Sequence, residues 1–222
     1  MYIELICIIT IIILLAVSQG LIESVYRKYS NVRSEKELTG KDIAERMLLR
    51  NGVNDVQFGT VNGSLTDYYN PKSKKIHFSK QSFTSNDIAA IAVAAHETGH
   101  AIQHHTGYFM MKIRGLLAPI CSLSAKLVWV FIFIGFLFSA LNFFMIGIAL
   151  MGVTIVFQLI TLPVEFDASN RAIAFLEAEG YSKETMVGVR KMLKAAAFTY
   201  VASTLAAILQ LIRLVAAFSR DD

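Results

Sequence analysis

The sequence predicts a mostly helical membrane protein that carries a small mixed α+β domain. Three observations predict this. The chain is 55% hydrophobic and only 17% charged, with a mean hydropathy of +0.51; soluble domains carry about a quarter charged residues. Apolar stretches long enough to cross a bilayer recur along it. Between the first and the second of them, residues 21–85 have the ordinary alternation of short apolar runs and turn signals.

The elements follow in order. Tyr2–Ser18 is apolar apart from Glu4 and Thr10, so residues 1–20 are predicted as a transmembrane anchor. Ala16-Val17-Ser18 resembles an export cleavage site, but the residues before it hold Glu4 and neither Lys nor Arg. That is the wrong start for a cleaved signal. Thr39, with Asp42 three residues on, predicts the cap of a helix over 41–50, ended by Asn51-Gly52. Short strands are predicted at 56–60, 64–69 and 75–79, joined by turns at Asn62-Gly63 and Asn70-Pro71-Lys72-Ser73. Ser85, with Asp87 in the first turn, predicts the cap of a helix over 86–105. Its Ile88–Ala95 run is small and apolar throughout, the mark of a buried central helix too short to span. Residues 116–164 then read as a transmembrane hairpin turning at Leu141-Asn142. Pro163 suits the start of the next helix and Gly180 its end. Residues 195–218 are long enough to span. Arg213 leaves open a helix packed on the soluble domain instead. The expected division is 1–20 anchor, 21–115 soluble domain, 116–164 hairpin, 165–194 a further helix and return segment, and 195–222 a fourth span and tail.

Charge sets the expected orientation. Nothing basic precedes the first span, whereas Arg27, Lys28, Arg33, Lys36 and Lys41 follow it. Lys112 and Arg114 stand before the hairpin, and Arg190, Lys191 and Lys194 before the last stretch. The positive-inside rule places the amino terminus outside and residues 21–115 in the cytoplasm. The net charge of +4 is accounted for by these juxtamembrane residues, which suit an anionic inner leaflet and call for no nucleic acid. Cys7 and Cys121 both fall in or beside spans; two lone thiols make no disulfide framework and fit a reducing compartment.

The most informative segment is His96-Glu97-Thr98-Gly99-His100. On a helix, residues i and i+4 lie on one face, so His96 and His100 can offer two imidazole nitrogens to one ion, a set that zinc favours. Glu97, one position round, is placed to take a proton from a metal-bound water. A catalytic zinc needs a third protein ligand. The longer pattern with a His six residues past the second fails, because position 106 is Thr and position 103 is Gln. Three histidines stacked over two turns cannot all reach one ion, so His104 is expected to be structural. Glu165 is the better candidate. It shares a helix face with Ser169, Ala172 and Leu176, and a carboxylate turned inward needs a partner. Asp167 is the reserve, and a surface Glu at a helix start is the bland alternative. His77 is expected to be a plain strand residue.

The motif His96–His104, the upstream Leu65-Thr66-Asp67-Tyr68-Tyr69 and the segment Pro163–Ala172 together resemble the bacterial membrane-bound neutral zinc metallopeptidases of YugP type. The similarity spans nearly the whole chain. More remotely the chain is similar to gluzincins such as the heat-shock protease HtpX and the CAAX prenyl protease. There a Glu opening a later helix is the third ligand, and an Asp four residues on orients a zinc-bound His. This chain has Ser169 at that place, with Asp167 and Asn170 nearby. The resemblance implies a zincin-like catalytic domain in a multi-pass protein of the bacterial plasma membrane. One Zn²⁺ per chain is expected on His96, His100 and Glu165, with Glu97 as catalytic base.

The function expected is hydrolysis of peptide bonds in protein or peptide substrates associated with the membrane, with quality control of membrane proteins one setting for it. Tyr68, Tyr69 and Arg171 are candidate oxyanion donors, and a strand at Lys75–Phe78 could pair with an extended substrate. Two rivals stay open: a catalytically silent zinc-binding membrane scaffold, and an intramembrane protease. Polar residues Asn70–Ser85, directly before the metal helix, argue against the second.

Overall fold

The computed structural model describes residues 2–218, so the expected tail at 219–222 lies outside the described residues. Its elements are α1 (Tyr2–Tyr29), α2 (Gly40–Arg50), β1 (Gln57–Val61), β2 (Tyr68–Asn70), β3 (Lys75–Ser79), α3 (Lys80–Thr84), α4 (Ile88–His105), α5 (Phe109–Leu137), α6 (Leu141–Ala178) and α7 (Lys183–Phe218). The protein is mostly helical with one small sheet. Among the described residues, four helices are long and apolar enough to cross a membrane: Glu4–Tyr29, Phe109–Leu137, Leu141–Ala178 and Lys183–Ala216. The chain divides into two compact units, one of Met1–Gln19, Lys112–Leu162 and Phe198–Asp222, the other of Gly20–Met111 and Pro163–Ala197.

The first unit is built on apolar helix contacts. Val128, Ile132, Phe144, Met151 and Ile155 form a buried cluster, with Ala207, Ile208, Leu211 and Leu214 packed against it. The hairpin turns two residues earlier than Leu141-Asn142, at Ser139, whose φ is 47°, and Leu141 already begins α6.

The second unit holds the sheet and α4. Strand order is β1-β3-β2, with β3 parallel to β1 and antiparallel to β2. Lys75–Phe78 therefore lies in the central strand, hydrogen-bonded on both sides, and has no free edge for a substrate; only β1 and β2 are edge strands. Ile76 and Phe78, fully buried, face the core with Tyr69, while Tyr68 and His77 stack on the opposite face with ring centroids 4.6 Å apart. Helix α2 is capped as expected: the Thr39 side chain accepts from Asp42 N, and the Asp42 carboxylate accepts from Thr39 N. For α4 the cap is Asp87 rather than Ser85. The Asp87 carboxylate reaches Ala90 N at 2.7 Å, and Ser85, two residues earlier, donates to Asp87 at 2.6 Å instead. Helix α4 is the centre of this unit, with nearly all its residues from Ile88 to Gln103 buried.

Other boundaries also differ from the sequence expectation: the strand expected at 64–69 is β2 at Tyr68–Asn70. Pro163 starts no helix but lies inside α6, which continues to Ala178 and ends before Gly180 (φ 76°). An internal proline forfeits one backbone bond and costs about 3 kcal/mol. Here Val164, Ala168, Ala172 and Leu176 form an i+4 ridge that is fully buried, and this packing holds the helix through the proline. Residues 183–218 are likewise one helix, not a return segment followed by a separate span.

Candidate metal centre

Three donors meet in the second unit. His96 and His100 project from one face of α4 and Glu165 from α6, two residues past Pro163. Their ligating atoms all lie within 4.8 Å of one another, in a group that could hold a metal ion. Glu165 Oε2 is 3.3 Å from His96 Nε2 and 3.4 Å from His100 Nε2. A tetrahedral zinc with bonds of the usual length separates its donors by about 3.3 Å, so nitrogen–oxygen spacing and donor chemistry both fit. The carboxylate is only 2% exposed; a charge so placed needs strong partners, and the two imidazoles are beside it. His96 and His100 meet edge to face.

Glu97, the intervening acid, is buried, and no hydrogen bond or ion pair among the described residues uses its carboxylate. Burial pushes its pKa above the ordinary glutamate range, while the two neighbouring imidazoles pull the other way. His100 is pulled down by burial, but the Glu165 carboxylate outweighs this and its pKa is raised.

The outer nitrogens of both imidazoles are engaged. His96 Nδ1 is 3.2 Å from Ser169 Oγ. His100 Nδ1 is 3.0 Å from Gln103 Oε1. Gln103, fully buried, donates through Nε2 to Val164 O and to Asp167 Oδ2, each at 2.8 Å. Asp167 in turn accepts from Arg171 Nε at 2.6 Å. The reserve ligand Asp167 is thus committed to Gln103 and Arg171. Gln103 is the residue that sequence reasoning passed over; its only signal is a polar side chain three residues past His100 on the same helix.

Two other histidines lie apart from the cluster. His104 Nδ1 is 2.8 Å from Tyr69 OH, which makes His104 structural, and His77 is a strand residue stacked on Tyr68. The same contacts engage all three oxyanion candidates: Tyr68 faces away from α4, Tyr69 is bonded to His104, and Arg171 to Asp167.

Gly99 shows why α4 and α6 can meet this closely. A Cβ on it would lie 2.7 Å from Ala168 O and 3.2 Å from Ala168 Cα, three residues past Glu165. Backbone cannot yield as a flexible side chain does. Gly99→Ala should lower stability by about 1–3 kcal/mol and weaken metal binding by displacing Glu165. Gly20→Ala, in a helix where the added methyl meets nothing within 4 Å, should cost nothing. Thermal midpoints with and without zinc check this, and equal melting of the two variants would refute the close crossing.

Comparison with known proteins agrees with this chemistry. Residues 4–219 match the family described as "Putative neutral zinc metallopeptidase". The chain is 38% identical over 208 residues to the protein named "Putative membrane protease YugP" of Bacillus subtilis (strain 168), covering 92% of each. No solved structure matches the chain significantly.

Proposed function

The chain belongs to the YugP-type family of membrane zinc metallopeptidases, and on that premise we propose that it is a membrane-embedded zinc metalloendopeptidase. His96, His100 and Glu165 hold one Zn²⁺, and Glu97 is the catalytic base. The observation that carries the reading is the buried three-donor cluster, whose two nitrogen–oxygen distances match tetrahedral spacing, with an uncommitted carboxylate next in sequence to the first donor. Zinc held there supplies a Lewis acid that acidifies water and polarises a carbonyl. Glu97 takes the proton from the attacking water and hands it to the leaving nitrogen. Its burial favours the protonated form that this second transfer needs. Ser169 and Gln103 hold the two imidazoles in place.

The active site is assigned to the cytoplasmic face of the plasma membrane. Support comes from the basic residues Arg27, Lys28, Arg33, Lys36 and Lys41, which follow the first apolar stretch where none precede it. A site beside the bilayer suits membrane proteins or their cytoplasmic ends as substrates, with quality control as the setting.

Metal removal tests the reading. Detergent-purified protein should carry one zinc per chain by plasma mass spectrometry and cleave casein. A chelator should abolish cleavage, and added Zn²⁺ should restore it. Protein that holds no zinc, or cleaves equally well once stripped, would end the proposal.

A further inference from the structure

The hydrogen bonds around Gln103 settle which way its amide points, and that carries further than the distances alone. Gln103 Nε2 has two neighbours, Val164 O and Asp167 Oδ2, each at 2.8 Å, and both can only accept. Turning the amide over would set an oxygen against a carbonyl and a carboxylate at that distance and would waste both donors in a fully buried place. Oε1 must therefore face His100 Nδ1, 3.0 Å away. An amide oxygen only accepts, so Nδ1 carries a proton, and in the neutral imidazole that binds a metal Nε2, the atom nearest Glu165, keeps its lone pair. Arg171, on Asp167 at 2.6 Å, holds the far end of the chain. His96 has no such lock, because the Ser169 hydroxyl at its Nδ1 can donate or accept.

The geometry points to Gln103 as the positioning residue that fixes the metal-binding tautomer of His100, with Asp167 and Arg171 setting the direction of its amide. The inference rests on the zinc reading above and adds a role for a residue outside the His-Glu-x-x-His motif. The same side chain bonds α4 to the stretch of α6 that supplies Glu165, so one amide aligns a ligand and the helix bearing the third donor.

The test reads zinc affinity by competition with a chromophoric chelator, alongside the visible spectrum of the Co²⁺-substituted protein. Gln103→Leu should weaken zinc binding about 10- to 100-fold, the usual effect of losing a partner of a metal-bound imidazole. Ser169→Ala should cost less. Gln103→Glu alone places a carboxylate against Asp167 and should also bind poorly. Adding Asp167→Asn lets the new amide donate to the new carboxylate, which still faces Val164 O, and should recover part of the loss and the wild-type Co²⁺ spectrum. A merely structural Gln103 would show no such rescue. Wild-type affinity in Gln103→Leu would overturn the inference; if that variant does not fold, absence of rescue in the double variant would do so. Wild-type protein that binds no zinc would instead overturn the parent reading.

Discussion

Glu97→Gln is expected to keep one zinc per chain and to lose about 100- to 10,000-fold in casein cleavage, the range associated with removing a positioned acid–base group. The exchange preserves shape. It also removes a charge from a place where burial already favours the neutral carboxyl, so folding should be unharmed or improved. His96, His100 and Glu165 are untouched, which separates metal binding from turnover. The variant thereby decides between an enzyme and a silent zinc-binding scaffold. A scaffold would leave every cellular phenotype intact in Glu97→Gln, whereas an enzyme would lose the phenotype with the metal still bound. Cleavage at the wild-type rate would remove Glu97 from the mechanism.

Glu165→Ala should lower zinc affinity by more than about 100-fold, because losing only an outer partner of a metal ligand costs about 10- to 100-fold. The carboxylate is 2% exposed and stands within 3.4 Å of both imidazoles, so water cannot readily replace it. Asp167→Ala, two residues on, should still bind one zinc per chain, weakened less than Gln103→Leu, because Gln103 Nε2 keeps Val164 O as an acceptor. Equal zinc retention in the Glu165 and Asp167 variants would refute Glu165 as a ligand.

Much of the candidate site is legible along the chain because its signals are local. The four-residue spacing of His96 and His100 is a property of any α-helix, and it places both imidazoles on one face before tertiary structure is known. Glu165 is legible for a similar reason: it shares a helical period with Ser169, Ala172 and Leu176, all of which are buried. The Thr39–Asp42 cap is likewise complete within four residues.

What resisted reading depends on contacts between distant segments. A strand pattern at Lys75–Ser79 says nothing of its neighbours, and only the pairing with β1 and β2 makes it central. Pro163 obeys a statistical rule for helix starts, and the buried ridge through Val164 and Ala168 overrides it. Asp87 displaced Ser85 as a cap because its carboxylate reaches Ala90 N directly.

By itself, then, the sequence determined the apolar helices, the paired histidines, the acid between them and the family to which they belong. Each of these is written in composition or in one helical period. Tertiary structure alone decided that Gly99 admits the backbone of Ala168, and that Gln103 links His100 to Val164 and Asp167. It also decided that Ser169 stands at His96. These are relations between α4 and α6, more than sixty residues apart in sequence. Short-range periodicity carries no information about which side chains meet across such a separation; packing density and the need to satisfy every buried polar atom do.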